Sequence, residues 1–141
     1  MLSNSSEHPV DIYEECPCSG RNLSRLLQPA IMTILAGRKL HGYAIVERLT
    51  KTPMPAGDRP DPTGVYRVLG AMEDRQLVTS SWDTSEHGPA KKVYELTPSG
   101  RKCLARWISS LSDYHRAIGK LLASARKASG QPRRSRRKEG A

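Results

Sequence analysis

The chain has no phenylalanine, and aromatic residues make up only 5% of its 141 positions. A core must therefore rest on Leu, Ile, Val and Met with an occasional Tyr or Trp, and a chain of this length builds one modest domain. No run approaches the roughly 18 to 20 consecutive apolar residues that a membrane-spanning helix needs. The opening MLSNSSEHPV lacks the basic and apolar segments of a secretory signal. Cysteine is scarce: three residues are an odd count, unlike the paired framework of a small secreted protein. A cytoplasmic protein is expected. Enzyme signatures are missing as well, with no Gly-x-Ser-x-Gly, no His-Glu-x-x-His and no glycine-rich phosphate loop. Glu47 and Glu73 fall on predicted helices beside basic residues, as ordinary surface pairs do. The expectation is a protein that is not an enzyme and carries no cofactor.

What the sequence does have is positive charge, +9 in total and unevenly spread. Residues 1–20 hold four acidic residues and no Lys or Arg, and read as a flexible acidic arm. Residues 124–141 hold seven basic residues against one acidic, and read as a basic disordered tail. The stretch between them is still +7, so the folded part is basic without help from its tail. Such a field favours nucleic acid or another anionic surface.

Between these ends the apolar spacing predicts three helices. Leu23, Leu26, Leu27, Ala30, Ile31, Ile34 and Leu35 line one helical face, with Pro29 starting the helix late or kinking it and Gly37 as its stop. A short helix is expected from Gly42 to Lys51, with Tyr43, Val46 and Leu49 inward. The proline-rich TPMPAGDRPDP breaks it. A third helix starts after Asp61 with Pro62 in its first turn and Val65, Leu69 and Met72 facing the core. Leu77–Asp83 and Lys91–Leu96 read as strands of a hairpin whose tip carries Gly88 and Pro89. Thr97-Pro98 then supplies an N-cap and a first-turn proline. The last helix bears Leu104, Ile108, Leu111, His115, Ile118 and Leu122 at spacings of three and four, with Trp107, Tyr114 and Leu121 in a second row. A seam this regular predicts pairing with a second copy. Three helices and a two-stranded wing make a mainly α, winged helix-turn-helix fold, here with a long C-terminal dimerisation helix. The expected division is residues 1–20 arm, 21–96 DNA-binding domain, 97–123 dimerisation helix and 124–141 tail.

Three stretches, LAGRKLHGYAIVERL, PTGVYRVLGAMEDRQLV and KKVYELTPSG, together resemble the PadR-like family of transcriptional regulators. The matching elements are His41-Gly42-Tyr43, Thr63 and Tyr66, Glu73, and the run from Tyr94 to Gly100. Family members usually carry Gly where this chain has Gln76. A left-handed residue there costs Gln about 1–2 kcal/mol that Gly is spared. Arg67 replaces a common Pro.

The resemblance implies a homodimeric regulator, a repressor relieved by a small-molecule effector, with double-stranded DNA as partner. A helix in the major groove reads base edges from its first turns while neighbours hold phosphates. Thr63, Tyr66 and Arg67 occupy those turns, Tyr43 opens the preceding helix, and Lys91 and Lys92 lie on the wing. Trp107 and Tyr114 are the effector-pocket candidates by analogy with relatives that bind flat aromatic ligands. Two other readings stay open. Cys16 and Cys18, completed by His8 or Cys103, could serve metal or thiol-redox sensing, although one intervening residue is a poor zinc spacing. Alternatively the winged fold serves protein contacts without reading DNA.

Overall fold

The computed structural model describes residues 26–53, 61–84 and 88–131. In chain order it contains α1 (Leu27–Gly37), β1 (Leu40–His41), α2 (Gly42–Leu49), α3 (Pro62–Asp74), β2 (Val78–Asp83), β3 (Lys91–Leu96) and α4 (Pro98–Ser129). The expected hairpin gains a third member. β1 pairs with β3 through Leu40↔Tyr94 and His41↔Val93, giving an antiparallel sheet of order β1-β3-β2. By its internal contacts the chain divides after Leu104. The first unit holds the three helices, the sheet and the opening turns of α4, and the second is the remainder of α4.

The core of the first unit draws on every helix and on both long strands. Ile31, Met32 and Leu35 come from α1, Ile45 and Leu49 from α2, and Val65, Leu69 and Met72 from α3. Val78, Tyr94 and Leu96 close it from the sheet. Each fully buried aliphatic side chain contributes about 1.5–3 kcal/mol, so a core without Phe can be assembled from such increments. Pro29 is tolerated because α1 starts only at Leu27, which leaves the proline in the first turn where no N–H is needed. The inward face of α2 differs from expectation. Gly42, Ile45 and Leu49 are buried, Val46 is half-buried, and Tyr43 points to solvent at 72% exposure. The β-branched Ile45, not the tyrosine, is the residue whose burial removes no polar group from water.

Asp61 caps α3, accepting the Gly64 N–H at Oδ1 over 2.6 Å, and Pro62 stands at the first helical position. The far end closes with two backbone bonds, Gln76 N–H to the Glu73 carbonyl (2.9 Å) and Leu77 N–H to the Met72 carbonyl (2.8 Å). This is a Schellman cap, and its left-handed position is held by Gln76 at φ 64°. The turn is stitched to the start of α4. Thr97 donates its hydroxyl to the Gln76 carbonyl (2.7 Å) and its N–H to the Leu77 carbonyl (3.1 Å), while its Oγ1 accepts from Gly100 N–H (2.9 Å). Gly100 is buried against the Leu77 carbonyl and Leu96, where a Cβ would collide with both. The Tyr-x-Leu-Thr-x-x-Gly run thus has one physical meaning: two core residues, a cap, and a glycine that lets the helix approach a carbonyl.

α4 continues six residues past the expected end at Ala123, to Ser129. Ser124 to Ser129 includes Ala, Arg and Lys, which favour helix, and the charge there does not interrupt it. The stop is Gly130 at φ 77°, with Gly130 N–H to Lys127 carbonyl (3.3 Å) and Gln131 N–H to Arg126 carbonyl (3.0 Å), the same cap as on α3.

Candidate nucleic-acid interface

On α3 the residues split by face. Val65, Leu69 and Met72 are buried, while Thr63, Tyr66, Arg67 and Gly70 are exposed on the opposite side. Thr63, Tyr66 and Arg67 therefore form one solvent-facing row in the first two turns. Tyr66 turns its ring toward the start of α2, and a Cβ built on Gly42 would lie 2.5 Å from Tyr66 Cε1. The ring fills the space that a side chain at position 42 would take.

An open cleft of about 640 Å³ is lined by His41, Gly42, Tyr43, Ala44, Tyr66, Lys91, Lys92 and Tyr94. It gathers four of the six residues expected to meet DNA, from three different elements. Thr63 and Arg67 lie outside this lining, on the exposed row of α3. Lys91 is exposed at the start of β3. Lys92 is more engaged than expected: its Nζ lies 3.6 Å from Glu73 Oε1 and 5.6 Å from the centre of the Tyr94 ring. Tyr94 lies at the base of the wing, and burial raises its hydroxyl pKa above the usual tyrosine value. Lys92 opposes that shift, while Glu73 and Tyr66 add to it.

Several relationships here carry no signal in the sequence. Glu73, expected to form an ordinary surface pair, accepts a 2.5 Å bond from Ser80 on β2 as well as the Lys92 contact from β3. His41 Nε2 reaches across the central strand to Asp83 Oδ2 at 3.2 Å, lining a second cleft of about 430 Å³ with Arg38, Lys39 and Trp82. Trp82 stands opposite Lys92 in the sheet register and is 65% exposed. A dipeptide strand such as Leu40–His41 is too short to show a period, so its pairing and these cross-strand contacts depend on tertiary register alone.

The remaining candidates are placed as follows. On α4, Leu104 and Leu111 are half-buried, and Ile108, His115, Ile118 and Leu122 are exposed. Trp107 is half-buried and Tyr114 exposed, and neither lines the two clefts above. Cys103 is half-buried, with Gln28 Nε2 3.9 Å from its sulfur. Cys16, Cys18 and His8 lie outside the described residues. Among the described residues, no group of three or more His, Cys, Asp or Glu could hold a metal, and no helix is long and apolar enough to cross a membrane.

Three helices, a strand-paired wing and a solvent-facing row on the third helix define a winged helix-turn-helix protein. Residues 31–106 match the Transcriptional regulator PadR-like family, and the chain belongs to that family. Its members are transcription regulators and not enzymes. Among solved structures, the chain is similar to a PadR-family transcription regulator from Clostridium difficile R20291. Identity is 20% over 69% of this chain and 98% of that one, with a TM-score of 0.62. A candidate transcriptional regulator from Thermoplasma acidophilum is 28% identical over 70% of this chain and 91% of its own, at a TM-score of 0.60. Bacillus subtilis PadR, solved in complex with operator DNA, is 27% identical over 60% of this chain and 47% of its own, at a TM-score of 0.52. No curated protein matches.

Proposed function

We propose that this PadR-family regulator binds operator DNA as a homodimer, represses transcription, and is released by a small-molecule effector. The observation that carries the reading is the convergence of Tyr43, Tyr66, Lys91 and Lys92 on one cleft beside the exposed α3 row of Thr63 and Arg67. Helix and wing then divide the work. Thr63 and Arg67 meet base edges in a major groove, Arg67 with a fork suited to guanine. Tyr43, Tyr66, Lys91 and Lys92 hold phosphates on either side. That the similar Bacillus subtilis PadR was solved with operator DNA supports the DNA-binding reading.

Residues 21–96 serve as the reading head, α4 as the dimerisation helix, 1–20 as an acidic arm and the residues after Gln131 as a basic end that adds affinity without sequence preference. The exposed row Ile108, Ile118 and Leu122 supports self-association through α4. An effector acts by preferring one spacing of the two heads, and Trp107 and Tyr114 are the residues we assign to its pocket.

The test is fluorescence anisotropy at about 0.15 M salt, with DNA from upstream of the protein's own gene and a shuffled control. The full chain should prefer the upstream DNA, Arg67→Ala should erode the preference, and truncation after Gln131 should lower affinity while keeping the preference. Affinity that resides wholly in the residues after Gln131, with no preference for any sequence in a random-pool selection, overturns the reading.

A further inference from the structure

Glu73 stands where the reading helix meets the wing, and its two carboxylate oxygens are used differently. Oε2 accepts the 2.5 Å bond from Ser80, which ties α3 to β2. Oε1 faces the ammonium of Lys92 at 3.6 Å, and that ammonium also lies over the Tyr94 ring. Both partners of the ion pair keep more than a third of their side-chain surface in water, 40% for Lys92 and 35% for Glu73. Lys92 is at the same time a lining residue of the cleft that holds Tyr43, Tyr66 and Lys91. One cation is thus shared between an internal carboxylate and the space assigned to a phosphate.

We infer that Glu73 is an affinity-setting residue that acts as an internal stand-in for a DNA phosphate on Lys92. The inference rests on the DNA-binding reading above. In the free protein the carboxylate neutralises Lys92, so a phosphate gains this contact only by displacing Glu73. A half-exposed pair of this kind is weak, worth a factor of about two to five, and a well-placed phosphate can displace it. A phosphate is well placed when α3 is seated in its groove and the wing is in register. On DNA of the wrong sequence the duplex sits loosely, the carboxylate keeps the lysine, and one phosphate contact is withheld. Glu73 therefore lowers affinity for every duplex: on the operator by the full worth of the displaced pair, and on arbitrary DNA by the withheld phosphate contact, which is worth no more than the pair. The Ser80 bond keeps the carboxylate at its post, since without it the side chain could follow Lys92 or leave.

Glu73→Gln tests this directly, because a glutamine oxygen still accepts from Ser80 while the charge is gone. The experiment measures binding of the full chain to its upstream DNA and to a shuffled duplex across a range of salt. Expected for Glu73→Gln is about two- to fivefold tighter binding to the upstream DNA, and tightening by no more than that factor on the shuffled duplex. On the shuffled duplex, where the withheld contact is then made, the slope of log K against log salt should steepen by about 0.9, the signature of one added phosphate contact. The ratio of operator to shuffled affinity should not fall. In a Lys92→Met background the same substitution should change neither slope nor ratio, which separates displacement at Lys92 from a general loss of negative charge. Asp74→Asn, on the neighbouring exposed carboxylate, serves as the control for charge alone. An unchanged slope in Glu73→Gln, or an equal effect with and without Lys92, overturns the inference while leaving the DNA reading intact. Wild-type protein that shows no salt-dependent DNA binding overturns both.

Discussion

The ring of Tyr66 occupies the place where position 42 would carry a side chain. The Cβ of an alanine there would lie 2.5 Å from Cε1 and 2.8 Å from the hydroxyl oxygen. The glycine that opens α2 and the tyrosine on the reading face of α3 are therefore a fitted pair, and the His-Gly-Tyr element is in part a seat for a residue twenty-four positions later. Gly42→Ala should force the ring out and cost about 1–3 kcal/mol, as overpacking does. Tyr66→Ala removes the obstacle, so in the double variant the alanine at position 42 should cost little. Urea unfolding of the four proteins checks this, and strictly additive losses would show that the two residues do not compete for the same space.

Gln76 holds a left-handed turn at φ 64° in the cap of α3, where α4 uses Gly130 at φ 77° for the same pair of backbone bonds. Gly at position 76 should relieve about 1–2 kcal/mol of backbone strain. Its greater freedom in the unfolded chain gives back about 0.4–1 kcal/mol. Gln76→Gly should therefore stabilise the protein by up to about 1.5 kcal/mol, read as a higher urea midpoint at unchanged slope. A lower midpoint would mean that the side chain of Gln76 makes contacts worth more than the strain.

How much of this was legible follows from how local each signal is. Asp61-Pro62 and Thr97-Pro98 are caps spelled out within two residues, and both helices start where those pairs stand. The spacing of Val65, Leu69 and Met72 gave the buried face of α3. On α2 the eight-residue span left two overlapping apolar sets, and spacing alone favoured the one containing Tyr43, which the structure turns outward. The partners of Glu73 lie seven and nineteen residues away on two strands, so their meeting depends on hairpin register, which composition does not encode. The end of α4 is legible in principle: Gly130 is a standard stop, and the Ala, Arg and Lys before it favour helix whatever their charge.

Tyr94 predicts a pH dependence in the alkaline range. Burial raises its hydroxyl pKa, with Lys92 opposing and Glu73 and Tyr66 adding. A group whose folded pKa lies above its unfolded value contributes stability that is whole below the unfolded pKa and is lost as pH rises through the folded one. For a tyrosine that loss begins near pH 10, the ordinary phenol value. Between about pH 9 and pH 11 the wild type should therefore lose more stability than Tyr94→Phe, which has no proton to release at that site. Urea midpoints across this range check it, and parallel curves for the two proteins would remove Tyr94 as the source.

The proposed dimer makes a sharper demand on α4. Ile118 is 62% exposed and Leu121 68% exposed, on the part of α4 that belongs to the second unit, from Ala105 onward. Leaving such side chains in water costs roughly 25 cal/mol for each Å² of apolar surface that a partner would otherwise cover. Both side chains are exposed, so a charge at either position should change the folding of the first unit by no more than about 0.5 kcal/mol. In a dimer built on this seam the same charge is buried against apolar surface without a partner and weakens association strongly. Ile118→Glu and Leu121→Glu should thus shift the protein to monomer in sedimentation equilibrium, while the urea transition of the first unit stays in place. Operator affinity should fall with the loss of the second head, since each head then binds alone and the effective concentration supplied by the other is gone. A wild type that sediments as monomer, or a variant that keeps its dimer mass, would move self-association away from this helix.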